Sequence, residues 1–242
     1  MSTAIVTGGA VRIARALACH LAGRGYNIAL HYRSSRQAAE ETLSEIRVKG
    51  VQCHGYACDF KDLRESEGFI ARVVADFPDV DLLVNSAANF ILENVEKTSF
   101  ETLTDTLHVN LMTPFLLMRD YKRLVNRGMI VNIVDQRILK NLPAFAAYSV
   151  SKAGLAHLTQ LAAVEWGATV RVNAIAPGLI LPPPWGTEEY LKKEAPKIPT
   201  RRHGSPQDIA RGLDYLIDSP FVNGEILFID GGESKASAGT AF

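Results

Sequence analysis

A tyrosine and a lysine four residues apart are the side chains of this sequence whose types and spacing point most directly to chemistry. Tyr148 and Lys152 lie in AAYSVSK, a stretch with helical character, so their spacing puts both on one helix face. An ammonium beside a phenol is expected to lower the phenol pKa from its ordinary value of about 10 toward neutral pH. The pair therefore predicts a general acid for a carbonyl or an imine, although the same spacing also arises by chance in helices.

A carboxylate stands thirteen residues before this tyrosine. Asp135 directly follows the apolar run MIVNIV (129–134), which has the pattern of a buried strand. Burial at such a position is expected to raise the pKa of Asp135, and Lys152 would oppose that rise. The sequence leaves open which effect is larger.

Glycines follow the first predicted strand, in TGGAVRIAR (7–15). Gly8 and Gly9 allow a tight turn into a helix, the place where an open α/β sheet binds a dinucleotide pyrophosphate on backbone N–H groups. A plain turn between strand and helix would also explain these two glycines. The next strand is needed to separate the two interpretations.

The second predicted strand ends in HYRSSR (31–36) and lacks the acidic residue that would bind the ribose 2′-hydroxyl of NAD. Basic and hydroxyl groups stand there instead, and an arginine of the glycine loop can converge on the same place. A guanidinium suits the geometry of a phosphate, so this pattern predicts a site for the 2′-phosphate of NADPH. A solvated basic turn is the alternative. The residues concerned are His31, Arg33, Ser34, Arg36 and Arg12.

Short β-branched runs alternate with amphipathic helical stretches along the whole chain. The strands are almost continuously apolar, as expected when helices cover both faces of a parallel sheet. We therefore predict one domain over residues 1–242, a doubly wound, Rossmann-type α/β fold with about seven parallel strands. The predicted strands are 3–7, 27–32, 51–58, 80–85, 129–134, 169–176 and 225–230, and the predicted helices are 11–24, 36–49, 62–76, 100–126, 147–166 and 206–218.

Two segments fall outside this alternation. Residues 177–206 are too long and too rich in proline for a simple connection, so we expect a substrate lid at about 179–205. The tail ESKASAGTAF (233–242) is expected to be either a disordered end or an arm that reaches a neighbouring subunit.

Composition excludes several classes of function. Basic and acidic residues balance at 26 each, which gives no reason to expect nucleic acid or an anionic membrane surface as a partner. The three cysteines are odd in number and show no metal-ligand spacing, so we expect reduced thiols, no metal site and a cytoplasmic location. No apolar stretch approaches the ~18 residues of a membrane span.

The motifs TGGAVRIAR, ACDF, VNSAANF, VNLMTPF, YSVSK, VNAIAPG and IDGG follow one another over almost the entire chain. In this order they resemble the short-chain dehydrogenase/reductase family. The resemblance implies that Tyr148 donates a proton, that Lys152 contacts the nicotinamide ribose and the tyrosine, and that Asn110 holds a relay water. A helix-interior polar role is the alternative for Asn110. The resemblance also implies that Asp59 contacts the adenine. Further cofactor contacts are implied for Gly8, Ile13, Tyr32, Phe60, Asn85, Ser86, Ala87, Pro177, Gly178 and Ile180. A homotetramer is also implied.

Departures from the common family pattern are informative. The usual second and third loop glycines are Arg12 and Ala14, and Asp135 replaces the usual serine. Together with HYRS after the second strand, these features resemble the pteridine reductases of the family. That resemblance implies that Phe90 stacks on a pterin ring, although packing of an apolar residue under the lid is the alternative. Adjacent pterin nitrogens must gain protons, and the Asp135 carboxyl can take part in that relay.

The sequence therefore predicts an NADPH-dependent reductase that transfers hydride to a pteridine, a dihydropteridine or a dihydrofolate-like substrate. A carbonyl reductase of the 3-oxoacyl or sugar type is the first alternative, with Asp135 as a tolerated variant. A non-catalytic NADPH-binding regulator is the second alternative, favoured by the two missing glycines and disfavoured by the presence of Asn110, Tyr148 and Lys152.

Overall fold

The computed structural model describes residues 1–236. Within them, seven parallel strands form one sheet in the order β3-β2-β1-β4-β5-β6-β7, which confirms the predicted doubly wound fold. The strands end within one or two residues of their predicted limits at most positions. They are β1 (Thr3–Val6), β2 (Asn27–Tyr32), β3 (Cys53–Ala57), β4 (Val80–Asn85), β5 (Met129–Ile133), β6 (Arg171–Pro177) and β7 (Ile226–Ile229).

Helices cover both faces of this sheet, and two of the six predicted helices are interrupted. The helix predicted over 62–76 is divided at Gly68, and the one predicted over 100–126 contains a π-helical turn, His108–Met112. The α-helices are α1 (Arg12–Gly23), α2 (Arg36–Arg47), α3 (Leu63–Glu67), α4 (Phe69–Asp76), α5 (Phe100–Leu107), α6 (Thr113–Leu124), α7 (Ala146–Trp166), α8 (Glu188–Glu194) and α9 (Pro206–Asp218).

The apolar strands supply two separate cores because alternate side chains point to opposite faces of the sheet. In β1, Ala4 and Val6 pack with α1, α2 and α9, whereas Ile5 packs into the second core with α4, α6 and α7. All three of these β1 residues are fully buried. Burial on both faces explains why the strands show no alternation of polar and apolar residues.

The strand order reverses between β1 and β4, and this switch point opens a cleft at the carboxyl ends of the strands. The loops that follow the two strands approach each other closely there. Gly8 has a positive φ of 69°, and a Cβ on it would lie 3.0 Å from the Ala87 Cα. Thr7 Oγ1 accepts hydrogen bonds from the backbone N–H groups of Ser86 and Ala87. Glycine is therefore required at position 8 for the two loops to form one wall of the cleft.

Residues 178–205 form a segment over the end of the sheet. It contains α8 and the 3₁₀ turn Ala195–Lys197, and a backbone hydrogen bond of 2.9 Å from Gly204 N–H to Leu179 O closes its base. Ile180, Leu191 and Ile198 anchor it because their side chains are buried. Part of the segment predicted to be a lid is thus packed against the domain, with Ile180 in the core beside α1, α2 and α9.

The remaining expectations concern the cysteines, the membrane and the tail. Cys19, Cys53 and Cys58 are free thiols. Among residues 1–236, no helix has both the length and the apolar character that crossing a bilayer would require. Most of the tail for which we expect disorder or an intersubunit arm, residues 237–242, lies outside the described residues.

Candidate active site

The start of α7 positions the tyrosine and the lysine. Tyr148 and Lys152 are one helical turn apart and are only 7% and 2% exposed. The Lys152 ammonium donates a hydrogen bond of 2.7 Å to the backbone carbonyl of Ile133, at the end of β5. It also lies 5.8 Å from the centre of the Tyr148 ring. The sheet therefore holds the lysine, and the lysine ties the catalytic helix to the end of β5.

Asp135 meets Tyr148 directly. The Tyr148 hydroxyl donates a hydrogen bond of 2.9 Å to Asp135 Oδ2, while Asp135 Oδ1 accepts one of 2.8 Å from the Arg137 backbone N–H. The second bond caps a 3₁₀ turn, Gln136–Leu139, and fixes the carboxyl group. The two residues separated by thirteen positions in sequence thus form one hydrogen-bonded pair.

Burial dominates the electrostatics of this pair. The pKa of Asp135 is raised above its ordinary value by burial, against smaller opposing effects of hydrogen bonds and of the nearby cations Arg137 and Lys152. Burial also lowers the pKa of Lys152 to about 8, although Asp135 opposes this shift. Burial therefore outweighs the charge of Lys152 in setting the pKa of Asp135, a question that the sequence leaves open.

The expectation that Lys152 brings the phenol pKa toward neutrality is wrong for this geometry. Burial raises the pKa of Tyr148 well above its ordinary value, and the adjacent Asp135 carboxylate raises it further. The hydroxyl consequently stays protonated at neutral pH and acts as a hydrogen-bond donor to the carboxylate. The acidity of Tyr148 is thus set by burial and by Asp135, with no lowering by the lysine.

Asn110 lies in the π-helical turn between α5 and α6 and is fully buried. Its Oδ1 accepts from the Asn89 N–H at 2.8 Å, and its Nδ2 donates to Asn89 O at 3.0 Å and to Ser151 Oγ at 3.1 Å. Both amide hydrogens are thereby used inside the protein, so the predicted relay water has no side-chain N–H of Asn110 available. These bonds hold Asn89, the neighbour of Phe90, and the relay role of Asn110 stays a prediction.

Phe90 belongs to an aromatic group beside the tyrosine. Its ring stacks on Phe145, with centroids 4.2 Å apart and planes 8° apart, and meets the edge of Tyr148 at 4.7 Å. Trp185, from the lid, lies parallel to Phe90 at 5.7 Å. Sequence reasoning missed Phe145 and Trp185. The position of Phe145, one helical turn before Tyr148, was a usable signal, whereas nothing in the sequence connects Trp185 to Phe90.

At the other end of the cleft, His31 supports the glycine loop. Its Nδ1 accepts from the Gly8 N–H at 3.0 Å, its Nε2 donates to Cys58 O at 2.9 Å, and its ring stacks on Phe60 at 3.8 Å. Burial lowers the pKa of His31 to about 4, so the ring is neutral. Both ring nitrogens are thus hydrogen-bonded inside the protein. This geometry fits a His31 that supports the glycine loop better than one that binds a phosphate.

The three arginines predicted for the phosphate site differ in their surroundings. Arg33 is exposed at the rim of the cleft, beside Ser34. Arg12 has a positive φ of 57°, and its guanidinium donates a hydrogen bond of 2.7 Å to the Pro182 carbonyl in the lid. Arg36 does not line the cleft.

A single cavity of about 1370 Å³ joins both ends of the cleft. Every residue predicted for the catalytic, cofactor or substrate site lines it, except Arg36, Asn85 and Asn110. Asn85 lies behind the wall, where its amide donates to Asn132 Oδ1 at 2.9 Å. The volume exceeds the ~300 to 1,000 Å³ of an ordinary single-ligand pocket, which gives room for a dinucleotide and a second molecule.

Comparisons with known proteins agree with this arrangement. A family model described as enoyl-(acyl carrier protein) reductase matches residues 9–234. The 3-oxoacyl-[acyl-carrier-protein] reductase FabG of Staphylococcus aureus is 30% identical, over 95% of this chain and 97% of that protein.

Solved structures with the same fold include two named enzymes. FolM alternative dihydrofolate reductase 1 from Brucella suis, in complex with NADP, has a TM-score of 0.93 at 29% identity, over 98% of this chain and 96% of that chain. Acetoin dehydrogenase YohF from Salmonella typhimurium has a TM-score of 0.91 at 28% identity, over 99% and 98%. With the cleft, the tyrosine and lysine of α7 and the match over nearly the full length, this chain belongs to the short-chain dehydrogenase/reductase family.

Proposed function

We propose that this protein is an NADPH-dependent reductase of a C=N bond in a pteridine, a dihydropteridine or a dihydrofolate-like molecule. The observation that carries the proposal is the 2.9 Å hydrogen bond from Tyr148 to a buried Asp135, next to the Phe90 and Phe145 stack. A flat heteroaromatic ring fits beside these aromatic rings, and its nitrogens need a proton source there. The similarity to FolM, which is named as an alternative dihydrofolate reductase, supports the substrate class.

The cleft residues fit the dinucleotide that this proposal requires. The N-cap of α1, Val11, provides no side-chain cap, and the first turn of the helix has no acidic residue, so its backbone N–H groups are available to a pyrophosphate. Arg33 and Ser34 would hold the 2′-phosphate, and Lys152 the nicotinamide ribose. When bound, NADPH supplies the hydride.

The protein residues then control the protons. Tyr148 keeps its hydroxyl hydrogen because of its raised pKa, and it shares that hydrogen with Asp135. The raised pKa of Asp135 allows this carboxyl group to carry a proton at higher pH than an ordinary aspartate can. The pair can therefore protonate a ring nitrogen from a site that water does not reach freely.

A second candidate is a carbonyl reductase of the 3-oxoacyl or sugar type. The 30% identity to FabG of Staphylococcus aureus favours it. Under this alternative Asp135 is a tolerated replacement for a neutral donor, and the aromatic group only lines the lid. A non-catalytic NADPH-binding regulator is disfavoured, because it would not need a buried, paired Tyr148 and Asp135.

One assay separates these candidates. Loss of NADPH absorbance is followed in parallel with dihydrobiopterin, dihydrofolate and an acetoacetyl thioester. Turnover of either pterin supports the proposal, turnover of the thioester alone supports the carbonyl reductase, and NADPH binding without any turnover supports the regulator.

We also propose a homotetramer in the cytoplasm. Apolar side chains are exposed on the outer faces of α6 and α7, among them Phe115 at 51%, Leu161 at 55% and Val164 at 89%. Exposed apolar surface of this kind is typical of a face that another protein covers. Light scattering is expected to give a particle of about four times the 26.4 kDa chain mass, and a stable monomer would contradict the proposal.

The first mutational prediction concerns cofactor choice. The unmodified protein should prefer NADPH to NADH by at least ~100-fold in kcat/KM, about 2.7 kcal/mol, because a phosphate gains charge-assisted hydrogen bonds. Arg33→Ala should remove much of that preference. Arg47→Ala, which removes the same charge from the other end of α2, should leave it intact. Equal use of the two cofactors by the unmodified protein would contradict the phosphate site.

A second prediction follows from the proton donor. Tyr148→Phe should keep NADPH binding, measured by fluorescence titration, while turnover falls by ~100-fold or more, the usual scale for loss of a general acid. Tyr215→Phe removes a hydroxyl from an exposed tyrosine of α9 and serves as the matched control. Near-normal turnover of Tyr148→Phe would show that another group donates the proton.

The third prediction tests Asp135. Asp135→Ser should lower kcat/KM for a dihydropterin by ~10 to 1,000-fold, roughly 1.4 to 4 kcal/mol, and should leave ketone reduction no worse. Because the Asp135 pKa is raised, the protonated carboxyl persists above the usual range and is lost as pH rises further. Pterin reduction by the unmodified protein should therefore decline with rising pH, starting above about pH 4, and this decline should be absent from the variant. Identical pH profiles would exclude Asp135 from the proton path.

A further inference from the structure

A cation stands beside the aromatic group on the substrate side of the cavity. The Arg137 guanidinium lies over the ring of Phe145, 4.8 Å from its centroid. Phe145 stacks on Phe90, whose ring meets Tyr148. Arg137 is also close enough to lower the pKa of both Tyr148 and Asp135 by its charge. The Arg137 guanidinium thus packs on Phe145, and Phe145 stacks on Phe90, the ring proposed to stack on the substrate.

The carboxylates near this guanidinium are already occupied. Asp135 accepts hydrogen bonds from the Tyr148 hydroxyl and the Arg137 backbone N–H. Glu233 accepts from Gln136 Nε2 at 3.0 Å and from the Leu179 N–H at 3.2 Å. Among the described residues, no carboxylate forms an ion pair with the Arg137 side chain. Within residues 1–236 its N–H donors also have no hydrogen-bond acceptor, which leaves them available to a ligand.

Lys140 adds a second cation in the same place. It follows Arg137 by three residues, directly after the turn Gln136–Leu139, and both cations are close enough to Glu233 to lower its pKa by their charge. Both side chains line the cavity. Lys140, too, has no ion-pair partner within residues 1–236. Two other cations of the wall have partners: Arg12 donates to Pro182 O, and Lys197 pairs with Glu194.

We propose that Arg137 and Lys140 form a subsite for a carboxylate on the tail of the substrate, which makes the preferred substrate a dihydropterin with an acidic tail, the dihydrofolate class, rather than an unconjugated pterin. A planar guanidinium pairs with a carboxylate through two parallel hydrogen bonds, and its stacking on Phe145 fixes it before the ligand arrives. This inference rests on the proposed function, because the pterin ring must first lie beside Phe90.

The test compares two substrates in one variant. For Arg137→Gln, the ratio of kcat/KM for dihydrofolate to that for dihydrobiopterin, which has no carboxylate, should fall by ~10-fold or more. Effects of the lost charge on Tyr148 and Asp135 act on both substrates and cancel in this ratio. Arg137→Lys should restore part of it, and Lys193→Gln, at an exposed lid position outside the cavity wall, should leave it unchanged. An unchanged ratio in Arg137→Gln would overturn the subsite.

A binding measurement keeps the subsite separate from the proposed function. If the unmodified protein reduces neither substrate, the pteridine assignment fails, and calorimetric titration with N-(4-aminobenzoyl)-L-glutamate, the acidic tail without the pterin, decides on the subsite. Binding that is weakened by ~10-fold or more in Arg137→Gln, and weakened by salt in the unmodified protein, supports it. Equal binding to both proteins, or no binding to the unmodified protein, overturns it.

Discussion

The hydrogen bond between Tyr148 and Asp135 is the interaction on which the substrate end of the site depends. Its two partners come from α7 and from the turn after β5, so the bond exists only because the sheet brings the start of that helix against the strand end. Lys152 also connects α7 to β5, through its hydrogen bond to Ile133 O. A carboxylate buried this deeply is costly unless it is paired or protonated, and here a phenol and a backbone N–H stabilise it. The free-energy cost of burying the charged carboxylate therefore raises its pKa.

The cofactor end is organised by a neutral group instead. His31 bridges the Gly8 N–H and the Cys58 carbonyl, and thereby links the loop after β1 to the residue after β3. Stacking on Phe60 and burial keep the imidazole uncharged, which suits a group whose task is to accept one hydrogen bond and donate another. In the proposed function, the exposed Arg33 supplies the positive charge for the phosphate. His31 lies within β2 and is buried, whereas Arg33 lies beyond the end of that strand and is exposed, so the two side chains have different surroundings.

Much of this arrangement could be predicted from the sequence, and the remainder fails for identifiable physical reasons. The apolar strands and the glycine loop follow from local patterns, and a joint role of Asp135 and Tyr148 follows from the resemblance to the pteridine reductases. The hydrogen-bond partners of Asn110 and His31 could not be predicted. They are Asn89, Ser151, Gly8 and Cys58, which come near only when the loops are folded. Trp185 and Arg137 were missed for the same reason. Their significance lies in the rings that they contact, which come from other segments of the chain.

Arg12 shows how the two ends of the site are joined. It replaces a family glycine and retains a left-handed backbone conformation, φ 57°, which costs roughly 1 to 2 kcal/mol for a residue with a Cβ. Unlike glycine, arginine has a side chain that can form a contact. The Arg12 guanidinium donates a hydrogen bond of 2.7 Å to the Pro182 carbonyl of the lid. Pro182 is three residues before Trp185, which lies against Phe90. The loop that would hold the cofactor phosphates is thereby connected, through one hydrogen bond and a short segment of lid, to the aromatic group that would hold the substrate. Arg12 in place of a flexible glycine has therefore not simply weakened the loop after β1, because it also attaches that loop to residues 178–205.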